Sequence, residues 1–276
     1  MRPLGLLLRS REISAPARTP RDFSGYIFDL DGTLYLGEAL LPGAAEAVAA
    51  LRAAGKRVAF ISNKALGRPA EYAAKLTRLG LPADPTEVLN SAVATRLFLT
   101  RERPGATVLA VAEAPVLEEL AAGGFTLTDS PEAAEVVVIS WDREATYHSL
   151  NQALQALRRG AYFVATNPDV TCPMPGGAEW LDAGSFVALL EAACGREADV
   201  VVGKPSPLML EVILAEWGLP AEACLLVGDR LETDMELGRR AGVATALVLT
   251  GVATRAKLAL WPHPPDFVLD TAGHLL

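Results

Sequence analysis

The chain reads as an α/β protein built on a doubly wound parallel sheet, and three observations lead there. Short β-rich runs alternate with helix-patterned stretches from residue 26 onward. The runs are continuously apolar rather than alternating, which marks strands covered on both faces. Four of them end in acidic, hydroxyl or lysine side chains, and ligands of such sheets bind beyond the carboxyl ends of the strands.

The first run, YIF (26–28), is followed at once by Asp29 and Asp31, with only Leu30 between them. A charge taken out of water is costly unless it is paired or metal-bound. Two carboxylates here therefore require that the strand end open onto a site. Gly32 lets the chain turn sharply out of the strand. AAEAVAALRAAG (44–55) is helix-patterned and ends in glycine, as a C-terminal cap should. RVAFIS (57–62) is the second run and leads into Ser62-Asn63-Lys64, with a core helix expected over 69–79. TVLAVA (107–112), EVVVIS (135–140) and AYFVAT (161–166) follow, the last two separated by the helix SLNQALQALRRG (149–160). GSFVALLEAACG (184–195) reads as a second core helix. DVVVG (199–203) runs into Lys204-Pro205, ACLLVG (223–228) into Asp229 and then Asp234, and ATALVLT (244–250) closes the series.

A chain of 276 residues, 51% hydrophobic and 21% charged, has room for two soluble domains. Its net charge of -8 argues against a nucleic-acid surface. An anionic substrate would need a local positive site working against that field. Cys172, Cys194 and Cys224 show no CxxC spacing, which disfavours disulfides or zinc and suits a reducing cytoplasm. His148, His263 and His274 are isolated and form no metal motif. Residues 1–21 are rich in arginine and proline and read as a disordered tail, although a transit peptide shares that look. The run LGLLL (4–8) is too short to span a membrane.

Between Ser62 and Lys204 lie 141 residues, whereas a strand–helix–strand crossover needs about thirty. With two core helices set aside, the remainder is the size of a small domain. The expected division is a core of 22–85 and 183–276 with an inserted α/β domain over 86–182.

Side chains two apart on an extended segment share a face, so Asp29 and Asp31 can address one centre. With Asp229 and Asp234 they would present dense negative charge, suited to a hard cation such as Mg²⁺. Lys204 supplies a point charge for a phosphoryl group, and Ser62 with the following backbone N–H groups supplies neutral donors. A carboxylate nucleophile beside a proton-shuttling carboxylate suffices for phosphoryl transfer.

DLDGTLY (29–35), FISN (60–63), GKP (203–205) and GDRLETD (228–234) resemble the four motifs of the haloacid dehalogenase superfamily of phosphatases. ATNPD (165–169) and LTGVATR (249–255) are similar, more narrowly, to its NagD-like and p-nitrophenyl phosphatase branch. The resemblance implies a Rossmann-like core and an α/β cap that closes over the site. It implies Asp29 as nucleophile and Asp31 as general acid/base. Mg²⁺ would be held by Asp29, the Asp31 backbone carbonyl and Asp229, with Asp234 in support. Ser62 and Lys204, assisted by Asn63, would bind the phosphoryl group. The implied partner is a small phosphorylated metabolite: a sugar phosphate, nucleoside monophosphate, phosphoglycolate or pyridoxal phosphate. No nucleic acid or membrane is implied, and dimers formed by related caps leave a homodimer open. Phosphoryl transfer of the phosphomutase type uses the same motifs. A non-catalytic phospholigand-binding protein would be expected to have lost an aspartate or Lys204, and all are present. Many relatives carry asparagine where this chain has Lys64, and the residues leave open whether Lys64 faces the phosphate or solvent. Within the cap, the loops SWDREATYH (140–148) and TNPDVTCPMPGG (166–177) could touch substrate, and Trp141, Tyr147 and His148 are candidates for stacking on an aromatic leaving group.

Overall fold

The computed structural model describes residues 18–174 and 176–276. Its larger sheet has six strands, all parallel. From one edge to the other they are Val88–Asn90, Arg57–Ser62, Gly25–Asp29, Cys224–Gly228, Ala244–Val248 and Phe267–Leu269. Numbered along the chain, these strands run 3-2-1-4-5-6, a doubly wound order whose reversal point lies between Gly25–Asp29 and Cys224–Gly228. Asp29 and Asp229 therefore flank the crevice where such sheets bind ligands.

The period of two along the first strand explains its burial on both sides. Tyr26 and Phe28 pack with Phe60, Leu225 and Val227 on one face. Ile27 packs with Ala59, Ile61 and Leu226 on the other. Each large side chain so buried contributes about 1.5–3 kcal/mol. The central strands thus form a firm base for the charged residues at their ends.

A second, five-stranded parallel sheet comprises Val200–Val201, Tyr162–Ala165, Val136–Ile139, Thr107–Val111 and Thr126–Leu127, in that spatial order. Sheet membership moves both expected boundaries. Val88–Asn90 pairs with the core strand Arg57–Ser62, so the core continues past residue 85. Val200–Val201 pairs with Tyr162–Ala165, so the second sheet continues past 182. The helix Ala183–Cys194, expected in the core, instead packs Val187 and Leu190 against Leu109, Val137 and Phe163 of the second sheet. Lys204 accordingly lies where the chain leaves the second sheet, not at the end of a core strand.

Of the tail expected to be disordered over 1–21, residues 1–17 lie outside the described residues. Within residues 18–21, Arg18 and Pro20 contact core residues, contrary to that expectation. The Arg18 guanidinium sits 4.1 Å from the Phe23 ring centre, and the Pro20 carbonyl accepts a 2.9 Å hydrogen bond from the Tyr26 hydroxyl. Among the described residues no helix is long and apolar enough to cross a membrane.

Candidate active site

Asp29 ends the first core strand and is buried. Asp229 follows the strand Cys224–Gly228 directly. The chain then winds into a π-helical turn, Leu231–Met235, in which the Met235 N–H reaches back to the Arg230 carbonyl. Such turns recur at functional sites. Leu231 and Met235 anchor this one against Leu247 and Ala253, and its wide winding brings Asp234 back beside the strand end. One carboxylate oxygen each from Asp29, Asp229 and Asp234 lies within 4.8 Å of the others.

Lys204 stands among them. Its Nζ donates to Asp29 Oδ1 at 2.5 Å and to Asp234 Oδ1 at 2.7 Å, and its side chain is only 5% exposed. Burial alone would disfavour the ammonium, but Asp234 and Asp29 outweigh it and hold the Lys204 pKa above the usual lysine range. Burial pushes the Asp29 carboxyl up to about 8, against the pull of Lys204, and the neighbouring Asp234 and Asp229 add to the rise. Burial likewise pushes Asp229 up to about 6, with Asp234 reinforcing and the Val252 N–H opposing.

Fully ionised, these three carboxylates would outnumber the Lys204 ammonium, and this crowding in a buried cluster is part of what raises Asp29 and Asp229. Asp229 Oδ2 accepts from the Val252 N–H at 2.7 Å, but Asp229 Oδ1 is buried without a hydrogen-bond partner. An oxygen in that condition costs about 1–3 kcal/mol or more unless something binds it. A divalent cation would satisfy this oxygen and favour the ionised form of the crowded carboxylates. The donor set, all carboxylate oxygens, suits a hard metal. Gly32 and Gly251 make room for the Asp229 carboxylate. Gly32 turns with φ of 85°, and a side-chain carbon at either glycine would run into the Asp229 carboxylate.

Asp31 lines the same cavity, but its carboxylate stands outside the acidic cluster and pairs with Lys64 Nζ at 3.0 Å. Ser62 and Asn63 are buried at the end of the second core strand. Ser62 Oγ accepts the Lys64 N–H at 3.1 Å. Asn63 ties two segments together: its Oδ1 accepts the Lys204 N–H at 2.7 Å, and its Nδ2 donates to the Lys204 carbonyl and to Asp169. Of the catalytic, phosphoryl-binding and metal candidates, Asp29, Asp31, Ser62, Asn63 and Lys204 line one cavity together with Lys64, and Asp229 and Asp234 cluster with Asp29 beside it.

The chain carries the motifs of one family on that family's architecture, and the comparisons agree. Residues 26–126 match the family model described as haloacid dehalogenase-like hydrolase, and residues 201–275 match one described as HAD-hydrolase-like. The sugar-phosphatase AraL of Bacillus subtilis is 36% identical, over 94% of each chain. The chain belongs to the haloacid dehalogenase-like hydrolase family. Within it the chain is a phosphatase, like its named relatives. The human glycerol-3-phosphate phosphatase is 35% identical over 92% of this chain and 90% of its own. Among solved structures, a 4-nitrophenylphosphatase from Thermotoga maritima superposes with a TM-score of 0.88 at 34% identity, covering 93% of this chain and 97% of its own. A glycerol phosphate phosphatase from Mycobacterium tuberculosis, solved in complex with magnesium, gives 0.86 at 32% identity, covering 93% and 77%.

This haloacid dehalogenase-like site also draws on the loop 166–177, expected to touch substrate, and on residues to which the sequence assigned no role. Asp169, Thr171, Cys172 and Asp182 reach the cavity from the inserted segment, and Arg230 and Thr233 reach it from the π-helical turn. Asp182 carried a signal, because an aspartate just before AGSFVALL is a natural helix N-cap; its Oδ1 accepts the Ala183 N–H. The candidates for aromatic stacking do not reach the cavity. Trp141 is buried in the inserted domain, Tyr147 is exposed at the start of its helix, and His148 follows it outside the lining.

Proposed function

We propose that this phosphatase is a Mg²⁺-dependent phosphomonoesterase that removes phosphate from a small sugar or polyol through an aspartyl-phosphate. The observation that carries this reading is the buried, crowded Asp29–Asp229–Asp234 carboxylate cluster with an unpartnered Asp229 oxygen. Asp29, Asp229 and the Asp31 backbone carbonyl would hold the metal, and Asp234 would fix Lys204. When bound, Mg²⁺ would draw negative charge away from the phosphoryl oxygens.

The chain's own residues do the rest. Ser62 and Lys204 orient the phosphoryl group so that Asp29 can attack phosphorus in line with the departing oxygen. The P–O bond to the leaving group breaks as the bond to Asp29 forms, and Asp31 gives the leaving oxygen its proton. In the second half, Asp31 takes a proton from the water that attacks phosphorus, and Asp29 is released. Cap residues over the cavity exclude bulk water while this happens.

Relatives named as sugar, glycerol-3-phosphate and dihydroxyacetone phosphatases support the substrate class. So does the lining. The inserted segment contributes Asp169, Thr171, Cys172, Pro173 and Asp182, which include two acids and no cation among the described residues. Acids and a hydroxyl suit a hydroxylated leaving group and disfavour a carboxylated one such as phosphoglycolate. The test is a screen of phosphorylated metabolites with Mg²⁺, scored by released phosphate, with p-nitrophenyl phosphate as a reference. C3–C6 sugar and polyol phosphates should lead, EDTA should stop turnover, and Mg²⁺ should restore it. Full turnover in excess EDTA would rule out the metal-dependent scheme.

A further inference from the structure

The four aspartates at the site are held very differently. Asp234 accepts from Lys204 and from the Arg230 N–H, Asp29 from Lys204, and Asp229 from the Val252 N–H, all at buried positions. The Asp31 side chain is 42% exposed, and among the described residues its carboxylate has one hydrogen-bond partner, Lys64. A side chain with that much freedom samples several rotamers unless its partner is itself fixed.

The backbone of Lys64 is held at two points. Its carbonyl accepts the Tyr72 hydroxyl at 2.8 Å, and its N–H donates to Ser62 Oγ at 3.1 Å. Lys64 lines the cavity together with Cys172, carried by the strand Thr171–Pro173 of the inserted segment. The ammonium thus reaches the Asp31 carboxylate beside the inserted segment, from a backbone anchored through Ser62 to the proposed phosphoryl seat.

We infer that Lys64 is a positioning residue for proton transfer: it holds the Asp31 carboxyl in register with the leaving oxygen of a phosphoryl group seated at Ser62. The inference rests on the proposed acid/base role of Asp31. In the first half-reaction the proton passes from Asp31 to the leaving oxygen, which keeps the electron pair of the broken P–O bond. In the second, Asp31 regains a proton from the attacking water. Lys64 stays a cation throughout and transfers no proton. Because it remains in place after each transfer, Asp31 returns to the same position for the next.

The consequence is selective. A nitrophenolate leaves without protonation, whereas an alkoxide does not. Loss of Lys64 should therefore harm alkyl phosphates more than aryl ones, which a general loosening of the site would not do. The experiment uses the full chain with saturating Mg²⁺ and compares kcat/KM for glycerol 3-phosphate, or the best C3–C6 sugar phosphate, with kcat/KM for p-nitrophenyl phosphate. General acid–base catalysis contributes about 10²–10⁴-fold, so Lys64→Met should lower the alkyl-to-aryl ratio by about tenfold or more. Lys64→Arg, which keeps a cation and a donor, should recover most of that ratio. Lys64→Gln serves as a second neutral variant should Lys64→Met fold poorly. The Mg²⁺ concentration for half-activation should not move. Asp31→Asn is measured alongside. If Asp31→Asn lowers the ratio and neither neutral Lys64 variant does, the inference about Lys64 is wrong and the acid/base reading stands. If Asp31→Asn leaves the ratio unchanged, the acid/base reading fails and takes the Lys64 inference with it.

Discussion

Asn63 and Asp169, 106 positions apart in the chain, are joined by a 2.9 Å hydrogen bond from Nδ2 to Oδ2 that links the core strand end to the inserted segment. The same Asn63 side chain exchanges two bonds with the Lys204 backbone. Its own carbonyl accepts from Ser91 and from Asn167. One buried amide thus sets the place of Lys204 and the approach of the inserted segment together.

Asn63→Ala should therefore act on both. It leaves the buried Lys204 N–H and carbonyl without partners, at about 1–3 kcal/mol of unfolding free energy. It also frees Asp169, so KM should rise along with a fall in kcat. Thermal unfolding and steady-state kinetics check this. A variant with wild-type stability and only a changed kcat would show that Asn63 acts on the chemistry and not on the frame.

Gly251 carries a sharper expectation for the metal. A methyl group there would overlap Asp229 Oδ2, which must then move or lose its bond from the Val252 N–H. Gly251→Ala should raise the Mg²⁺ concentration needed for half-activation by about tenfold, the effect of roughly 1.4 kcal/mol on the site. A metal titration of activity, with calorimetry as a second readout, decides it. Unchanged affinity would mean that Asp229 can shift without penalty.

These two residues mark what the sequence made legible. Asp29 and Asp229 were readable because apolar runs stop abruptly at them, and a buried carboxylate needs a reason. The doubly wound order was readable from the alternation of elements, but its edges were not. Val88–Asn90 and Phe267–Leu269 are three residues each, too short for a pattern, and are recognised only by pairing with longer neighbours. Val200–Val201 pairs with the second sheet because it extends that sheet's edge, a choice no local pattern encodes. Lys64 could not be oriented from sequence, since its partner Asp31 lies 33 positions away. Trp141 fills the inserted domain's core because its large ring is worth more buried than beside a polar cavity.

Asp182 should leave a mark on the pH dependence of stability. Burial raises its carboxyl to about 6 from the ordinary 3.8. Between those values the folded state holds a proton that the unfolded state has released, so this group's contribution falls as pH rises through the window. Above about pH 6 the penalty is complete, up to about 3 kcal/mol. Asp182→Asn keeps an oxygen to cap the helix Ala183–Cys194 but carries no charge. Denaturant melts should show the variant gaining on wild type from pH 4 to about pH 7 and no further. A constant difference across that range would mean that Asp182 is ionised in both states.

Asp29 combines loss of function with relief of charge. Asp29→Asn removes the proposed nucleophile, so turnover and trapping by beryllium fluoride should both vanish. In EDTA the same change removes one of three crowded carboxylates and leaves Lys204 its bond to Asp234. The Asp29 carboxyl is raised in the folded state, so its penalty is absent below about pH 4, grows as pH rises, and is complete only above about pH 8. Metal-free Asp29→Asn should therefore match or fall below wild type near pH 5 and melt higher near pH 9. Saturating Mg²⁺ should reverse the order, because the metal stabilises the folded wild type by mass action and binds the variant less tightly. Lys204→Met is the opposite case. It leaves three buried carboxylates without the ammonium that bonds two of them, and should destabilise the metal-free protein by about 3–5 kcal/mol. Melting curves of the three proteins in EDTA and in Mg²⁺ test the scheme. If Asp29→Asn melts lower than wild type in EDTA at every pH, the Lys204–Asp29 pair outweighs carboxylate crowding, and the acidic cluster is stable without a metal.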